Sequence, residues 1–219
     1  MRSDFAVDPN NPDTIYVTAP LSGVYKTVDG GLNWFNSDTG LPPAPIDIEV
    51  DPNNSLQVFA IASDAVFRST DGGLNWFSAG SGISGQIFDV AISSTLPTTL
   101  YAGGSDGVFK STNLGNSWVA VNTGLSAMPQ TALPIAVDPT DGNRALVSQQ
   151  DAMGDYQLYE TTTGGSSWSV VSGPWNLTFQ VSDIAFGPAS TTYMVANGCL
   201  LYTSPSPRDL STSRMPSSA

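Results

Sequence analysis

Four aspartates recur at one position of a repeated β segment and are the residues of this sequence best suited to chemistry. They are Asp4, Asp47, Asp89 and Asp183, and Pro134 takes the same place in a further copy. If these segments are neighbouring strands around one axis, the carboxylates form an acidic ring. Such a ring binds a cation, contacts sugar hydroxyls or supplies the acid pair of glycoside hydrolysis, about 5 to 10 Å apart. The alternative is a structural device, one hydrogen bond to the next unit per repeat, and repetition favours it because catalytic residues are rarely copied.

Two aromatic residues stand outside the repeat pattern and are further candidates for ligand contact. Tyr156 lies beside an insertion, and Trp175 lies in the unique segment SGPWNLT. Flat aromatic rings offer a broad apolar face to a sugar ring, but they also pack well between sheets. The two interpretations are equally favoured for Trp175.

The repeat that aligns these candidates is marked by the segment STDGGLNW, Ser69 to Trp76. Related segments are TVDGGLNW, STNLGNSW and TTTGGSSW, and their tryptophans stand 42, 42 and 50 residues apart. A fixed period of this size indicates a repeat architecture. We call the pattern (S/T)-x-(D/N)-x-G-x-x-W the box.

The chemistry of the box is that of a tight turn. The acid or amide is expected to accept a backbone N–H two residues later, the glycine to adopt φ > 0, and the tryptophan to pack between sheets. The residues in these roles are Asp29, Gly31, Trp34, Asp71, Gly73, Trp76, Asn113, Gly115, Trp118, Gly165 and Trp168. Calcium binding is the alternative, but calcium takes six or more oxygens and Thr163 replaces the acid in the last box. We therefore predict no metal site.

The elements that position these residues are short β-strands. In the second copy they are expected at Pro45–Pro52, Leu56–Ser63, Ala65–Asp71 and Asn75–Gly80, with Pro, Asn, Gly and Asp between them. The sequence predicts an all-β, partial β-propeller with four full four-stranded blades plus about half of a fifth. The blades are expected at about 4–44, 45–86, 87–129, 130–179 and, in part, 180–198. First strands of propeller blades line the central axis.

A basic residue recurs on the third strand as Lys26, Arg68 and Lys110, with Glu160 in the fourth unit. We expect an exposed stripe here, in which ion pairs contribute little.

The composition excludes several classes of function. Seven basic and nineteen acidic residues give a net charge of −12, which repels nucleic acid and anionic membrane surfaces. There is no histidine, so the usual general base and metal ligand are absent, and the single cysteine allows no intrachain disulfide. No apolar segment approaches the roughly 20 residues that span a bilayer. We predict no cofactor and no membrane insertion.

The box, with segments such as IEVDPNN and GVFKSTN, resembles the Asp-box, or bacterial neuraminidase (BNR), repeat, and the resemblance covers residues 1–198. The longer unit is similar to the propellers of xyloglucanase-type glycoside hydrolases, sortilin-type receptors and photosystem-assembly factors. This resemblance implies boxes at the blade periphery, away from the binding face. It does not extend to the three clustered arginines of sialidases, since only Arg2, Arg68 and Arg144 are available.

The C-terminal segment 199–219 departs from the repeat. CLLYTSPSPRD resembles the translation of a short-read sequencing adapter, and SRMPSSA resembles its far end. We expect a non-native, disordered tail there and exclude it from the fold. A natural Ser/Pro-rich linker is the alternative.

The functional hypothesis is a fragment of a secreted, cell-surface or periplasmic propeller whose parent is glycan-related, either a glycoside hydrolase or a polysaccharide-binding protein. We find no single Asp or Glu in a distinctive, unrepeated context, so the fragment is expected to be non-catalytic. Its partners would be a polysaccharide or a protein, and the remaining blades of the parent. The alternative is a non-catalytic scaffold or receptor-like propeller that binds proteins. An uncovered blade face at each end predicts poor expression or aggregation.

Overall fold

The computed structural model describes residues 3–95, 99–126, 134–150, 155–171, 181–187, 191–196 and 199–203, the last of these segments for the backbone alone.

These residues form nineteen strands in five antiparallel sheets, which we call blades 1 to 5. Blade 1 contains β1 (Phe5–Val7), β2 (Ile15–Ala19), β3 (Gly23–Thr27) and β4 (Phe35–Asn36). Blade 2 contains β5 (Pro45–Val50), β6 (Val58–Ala62), β7 (Ala65–Ser69) and β8 (Phe77–Ser78). Blade 3 contains β9 (Ile87–Ile92), β10 (Leu100–Gly104), β11 (Gly107–Ser111) and β12 (Val119–Ala120). Blade 4 contains β13 (Ile135–Asp138), β14 (Asp141–Gln150), β15 (Tyr156–Thr161) and β16 (Ser169–Val170). Blade 5 contains β17 (Val181–Phe186), β18 (Thr192–Ala196) and β19 (Cys199–Thr203).

Each blade is a meander in which strands pair in the order of the chain. The turn after the first strand is fixed by its own side chains: the carboxylate of Asp8 accepts the N–H of Asn10 at 2.9 Å, and that of Asp51 accepts the N–H of Asn53 at 2.9 Å. Such short polar side chains close turns by bonding their own backbone two residues on. The outermost strand of blades 1 to 4 has only two residues.

The blades pack face to face around an axis, and their first strands β1, β5, β9, β13 and β17 are neighbours at the centre. The core therefore lies between blades. Between blades 1 and 2, for example, Tyr16 and Val24 pack against Ile48, Ala60 and Trp76. The predicted all-β partial propeller is confirmed. In the part of the chain that the structure describes, no helix is long and apolar enough to cross a membrane.

The extra residues of the fourth unit lie partly in a longer hairpin. Strand β14 has ten residues and pairs with β15 up to the contact of Gln150 with Tyr156. Residues 151–154, between these two strands in the sequence, and residues 127–133, before β13, lie outside the described residues.

The segment after residue 198 differs from its prediction. Cys199–Thr203 pairs with Thr192–Ala196 as the third strand of blade 5, so the expectation of disorder is wrong for these five residues. An apolar run can complete a sheet whatever its origin. Residues 204–219 lie outside the described part of the chain.

Candidate functional site

The box is closed by its own side chains. In blade 2 the Ser69 hydroxyl donates to the Asp71 carboxylate at 2.8 Å and accepts the N–H of Gly73 at 2.8 Å. The two oxygens of Asp71 accept from the N–H and the side-chain amide of Asn75, at 2.9 and 2.7 Å. The acid thus bonds a backbone N–H four residues later, and the predicted bond two residues later is wrong. The carboxylate can accept this more distant N–H because the serine hydroxyl already holds the first part of the turn.

The same bonds occur in the other boxes, with the acid replaced in two of them. Asn113 accepts from the Ser111 hydroxyl at 2.9 Å and from the N–H of Ser117 at 2.9 Å. The Thr163 hydroxyl accepts the N–H of Ser167 at 3.1 Å. An amide or a hydroxyl therefore fulfils the role of the carboxylate, which is the behaviour of a turn residue rather than of a cation ligand.

The glycine of each box has a backbone conformation that other residues rarely adopt, and in blade 2 it also has no room for a side chain. Gly73 has φ = +87°, and a Cβ there would lie 2.6 Å from the hydroxyl oxygen of Ser37 in the preceding blade. Gly31, Gly115 and Gly165 also have positive φ, at 93°, 78° and 85°. Gly73, Gly115 and Gly165 thus allow the box to approach the preceding blade closely, whereas a Cβ at Gly31 would meet only Trp34 of its own box.

The box tryptophans join consecutive blades. The indole N–H of Trp76 donates to the carbonyl of Ser37 at 2.8 Å, that of Trp118 to Ala79 at 2.6 Å and that of Trp168 to Val121 at 2.7 Å. These three rings are 3 to 4% exposed. Trp34 differs, because it is 43% exposed and donates to Gly31 in its own box at 3.1 Å.

The basic residues of the third strand also cross between blades, so the expectation of an exposed stripe is wrong. The Lys26 ammonium donates to the carbonyl of Gly72 at 2.8 Å, and the Lys110 ammonium donates to that of Gly164 at 2.6 Å. Arg68 donates to the carbonyl of Leu114 at 3.1 Å. Partial burial lowers the pKa of both lysines. Each cation therefore binds the box of the following blade.

Three of the repeated aspartates lie near the start of the first strands and bond the next blade. A carboxylate oxygen of Asp47 accepts the N–H of Val90 at 2.8 Å, and one of Asp89 accepts the N–H of Ile135 at 2.7 Å. Asp4 makes the corresponding, longer bond to Ile48 at 3.3 Å. Asp47 and Asp89 are buried, and their bonds are those of the structural interpretation.

Asp183 of blade 5 differs from the other three. It is exposed and accepts the N–H of Ile184, the next residue in its own strand, at 2.8 Å. Its carboxylate is therefore not bonded across a blade junction in the way that those of Asp47 and Asp89 are.

Glu49 is an acid at the axis that the sequence interpretation missed. Other blades have alanine at this position of the first strand, namely Ala6, Ala91, Ala136 and Ala185. The signal was present in the alignment of first strands, but that alignment was used to find shared acids and not a single exceptional one. Glu49 is partly exposed and lies on the same face of β5 as Asp47.

The charges at the axis raise the pKa of two of its carboxylates, Asp47 and Glu49. Burial, followed by the negative charges of Asp89, Asp4 and Asp183, raises the pKa of Glu49 to about 8. Burial, the charges of Asp89 and Glu49, and a hydrogen bond shared with Asp4 raise the pKa of Asp47 well above its usual range. The structure thus brings the four predicted acids and Glu49 into one electrostatic cluster, in which the raised pKa of Glu49 favours its protonated form. A protonated carboxyl beside a carboxylate donates and accepts hydrogen bonds, as sugar hydroxyls require.

This cluster does not have the geometry of a metal centre. Among the described residues, no group of three or more Asp, Glu, Cys or His side chains is arranged to hold a metal ion.

A second group of polar side chains lies on the end of the sheets that carries the hairpins between second and third strands. Here the Gln86 side-chain amide donates to Asp64 at 2.8 Å, and the Ser84 hydroxyl donates to Asp106 at 2.7 Å. Asp64, Ser84, Gln86 and Asp106 are exposed. In a meander the first strand begins at this same end, so the axial aspartates lie near this face, which we call the hairpin face.

The structure describes only one of the two aromatic candidates. Tyr156 begins β15 at the hairpin face and is partly buried against the core between blades 4 and 5. Trp175 lies outside the described residues.

Comparison with known proteins identifies the fold. No protein-family model and no curated protein matches the sequence. Among solved structures, the chain is similar to an ancestral GH74 enzyme, with a TM-score of 0.75, 20% identity and coverage of 88% of this chain and 27% of that one. It is also similar to the GH74 xyloglucanase of Xanthomonas campestris, with a TM-score of 0.54, 16% identity and coverage of 90% of this chain and 44% of that one. YCF48 bound to D1 peptide gives a TM-score of 0.61, 14% identity and coverage of 89% of this chain and 61% of that one.

The chain therefore spans about a quarter to three fifths of the length of these structures. At these identities the similarity shows the shared β-propeller fold.

Proposed function

We propose that this chain is part of an Asp-box β-propeller that binds polysaccharide on its hairpin face and has no catalytic role of its own. The observation that carries the proposal is the set of exposed, mutually bonded polar groups of blades 2 and 3 at the end of the sheets where the first strands begin. Carboxylate, amide and hydroxyl groups that are held in place by one another bind ligand hydroxyls at a low cost in side-chain entropy.

The hydrogen bonds that the axial acids already make support a binding role without catalysis. Asp47 and Asp89 already accept backbone N–H groups of the next blade. Moving either residue toward a substrate would leave that buried N–H unsatisfied, which costs about 1 to 3 kcal/mol. Glu49 is the unrepeated acid, but glycoside hydrolysis also needs a second carboxylate in a distinct role on the other side of the scissile bond.

The similarity to GH74 enzymes agrees with a polysaccharide ligand. The axial cluster agrees with it as well, because its carboxyl groups donate and accept the kinds of hydrogen bond that sugar hydroxyls form. Secretion or display at the cell surface is part of the same proposal. The net charge of −12 is compatible with a polysaccharide, which carries no phosphate backbone to repel.

A glycan array covering plant and bacterial polysaccharides, including xyloglucan, tests the proposal. We expect the chain to be retained by at least one β-glucan, and the double variant Asp64→Ala, Asp106→Ala to be retained at least fivefold less. Asp13→Ala is the control, because Asp13 is an exposed acid at the opposite end of blade 1. We expect no release of reducing ends from the bound glycan. If the chain retains no glycan, or if the control weakens retention as much as the double variant does, polysaccharide binding on this face is wrong.

A protein-binding propeller is the second candidate, and exposed apolar side chains favour it. Phe35, Phe77 and Val119 follow the box tryptophans of blades 1 to 3 and are 41, 62 and 63% exposed. A row of exposed apolar groups along outer edge strands is typical of a protein-contact surface. A peptide array separates the candidates: retention that Phe77→Ser abolishes and Asp64→Ala leaves unchanged would favour the second.

A further inference from the structure

Three consecutive blade junctions are closed at the axis by the same hydrogen bond. The first-strand aspartate of one blade accepts an N–H from the first strand of the next blade, and the pairs are Asp4 with Ile48, Asp47 with Val90 and Asp89 with Ile135. In each pair the donor directly follows the aspartate position of its own blade. The N–H of Ile184 is therefore the equivalent donor at the junction between blades 4 and 5.

The acceptor for this donor is missing from blade 4, because Pro134 occupies the aspartate position. Pro134 is buried and has no carboxylate to offer to blade 5. The N–H of Ile184 instead donates to the carboxylate of Asp183, its neighbour in the chain, at 2.8 Å. This bond satisfies the N–H group, but it joins two residues of blade 5 and does not cross the junction.

Pro134 also lacks a bond to the second strand of its own blade. The aspartate position lies opposite Thr18 in blade 1 and opposite Ser148 in blade 4. The N–H of Asp4 donates to the Thr18 hydroxyl at 2.7 Å, whereas proline has no N–H to donate. The Ser148 hydroxyl is buried without a hydrogen-bond partner, and the residue is 1% exposed. Burial of an unpaired hydroxyl destabilises the closed junction that buries it.

The side chain of Ser148 faces blade 5. Alternate residues of a strand share a face, so Ser148 lies on the side of Leu146, which packs with Ile184 and Met194 between blades 4 and 5. Val147, between them in the strand, packs on the opposite side, toward blade 3. Separation of blades 4 and 5 would let water bond the Ser148 hydroxyl, which makes opening less costly here than at the other junctions.

We propose that the propeller opens at the junction between blades 4 and 5, and that Pro134 makes this junction the one that opens. The axial bonds keep blades 1 to 4 joined, while blade 5 moves away from blade 4. Because first strands begin at the hairpin face, the opening lies at that face and uncovers Ser148. The proposal is independent of polysaccharide binding, since it rests on hydrogen bonds inside the propeller.

Thiol labelling measures this opening. Ser148→Cys and Ile61→Cys place a thiol opposite the aspartate position in blades 4 and 2, at residues that are 1 and 0% exposed. Both are made in a Cys199→Ser chain, which removes the single native cysteine. We expect the thiol of Ser148→Cys to react with a soluble disulfide reagent at least about tenfold faster. The cavity left by Ile61→Cys loosens its own junction, so the comparison is a strict one. Circular dichroism verifies that both variants are folded.

Replacement of Pro134 tests its role directly. Pro134→Asn supplies an amide oxygen for the N–H of Ile184 without adding a charge to the axial acids, whereas Pro134→Ala supplies no acceptor. Combined with Ser148→Cys, Pro134→Asn is expected to slow labelling about fivefold, and Pro134→Ala to change it less than about twofold. Equal labelling of the two thiols would overturn the proposal. So would an unchanged rate with Pro134→Asn, or an equal slowing by Pro134→Ala.

Amide hydrogen exchange gives a second measurement, without cysteine substitutions. Pro134→Asn is expected to slow exchange at Ile184 about fivefold and to change it less than about twofold at Val90, whose axial bond is already present. Equal slowing at both amides would show a general gain in stability and overturn the assignment to this junction, as would no slowing at Ile184.

Discussion

Asp71 in a box and Asp47 on the first strand of the same blade carry the same carboxylate, but their surroundings shift its pKa in opposite directions. Hydrogen bonds from Asn75 and Ser69 lower the pKa of Asp71. Burial and the charges of neighbouring blades raise that of Asp47. The box acid is stabilised by residues close to it in the chain, whereas the axial acid meets other acids only because the blades converge. An acid is therefore informative about this protein's function only when its tertiary neighbours are known.

The largest expected effect concerns the part of the box that stabilises the propeller. Trp76→Ala removes a buried ring between blades 1 and 2 and the indole bond to Ser37. We expect the free energy of unfolding to fall by about 3 to 5 kcal/mol, measured by urea denaturation. Trp34→Ala is the control and is expected to cost about 1 kcal/mol or less, because that ring is 43% exposed. Equal costs for the two variants would contradict a role for the tryptophan between blades.

An intermediate effect is expected at the axis. The pKa of Glu49 is about 8 in the folded protein, against an ordinary value of 4.5. The folded state therefore holds a proton that the unfolded state releases, so this contribution to stability is present below pH 4.5 and is lost as the pH rises toward 8. Glu49→Gln imitates the protonated acid. We expect it to stabilise the chain by about 1 to 3 kcal/mol at pH 8 and hardly at all at pH 4.

The control for this pair of measurements is Asp13→Asn, which removes a charge from an exposed turn. Denaturation curves at the two pH values should shift for Glu49→Gln alone. A gain of the same size at both would mean that packing, and not the charge of Glu49, changes the stability.

The smallest expected effect concerns the box acid. The pKa of Asp71 lies below 3.8 in the folded protein, so its contribution to stability is present above that value and is lost as the pH falls through the lowered pKa. Asp71→Asn keeps an acceptor oxygen, as Asn113 does naturally, and should be close to neutral at pH 7. Its melting temperature should fall slightly less between pH 5 and pH 2.5 than that of the wild-type chain. Loss of the folded state at pH 7 would contradict a purely local role.

Repeat spacing predicted the blades, their strands and the position of the box, because each of these depends on residues within about 40 positions of one another. The alignment of first strands also placed Asp4, Asp47 and Asp89 at equivalent positions. It failed for Glu49, which breaks the repeat, and for Lys26 and Lys110, whose acceptors lie in the following blade. It also gave the wrong partner for the carboxylate of Asp71. Whether that carboxylate accepts a backbone N–H two or four residues later depends on whether a hydroxyl already holds the first part of the turn.

The sequence by itself determined the unit: a four-stranded meander closed by a polar turn, with a glycine and a tryptophan that need a neighbour. These features follow from local propensity and short hydrogen bonds, which the order of residues specifies directly. Only the tertiary structure decided which carboxylates share an environment, because convergence of blades at the axis brings together groups more than forty residues apart. It also decided which of four equivalent tryptophans is exposed, since that depends on whether another sheet covers the ring.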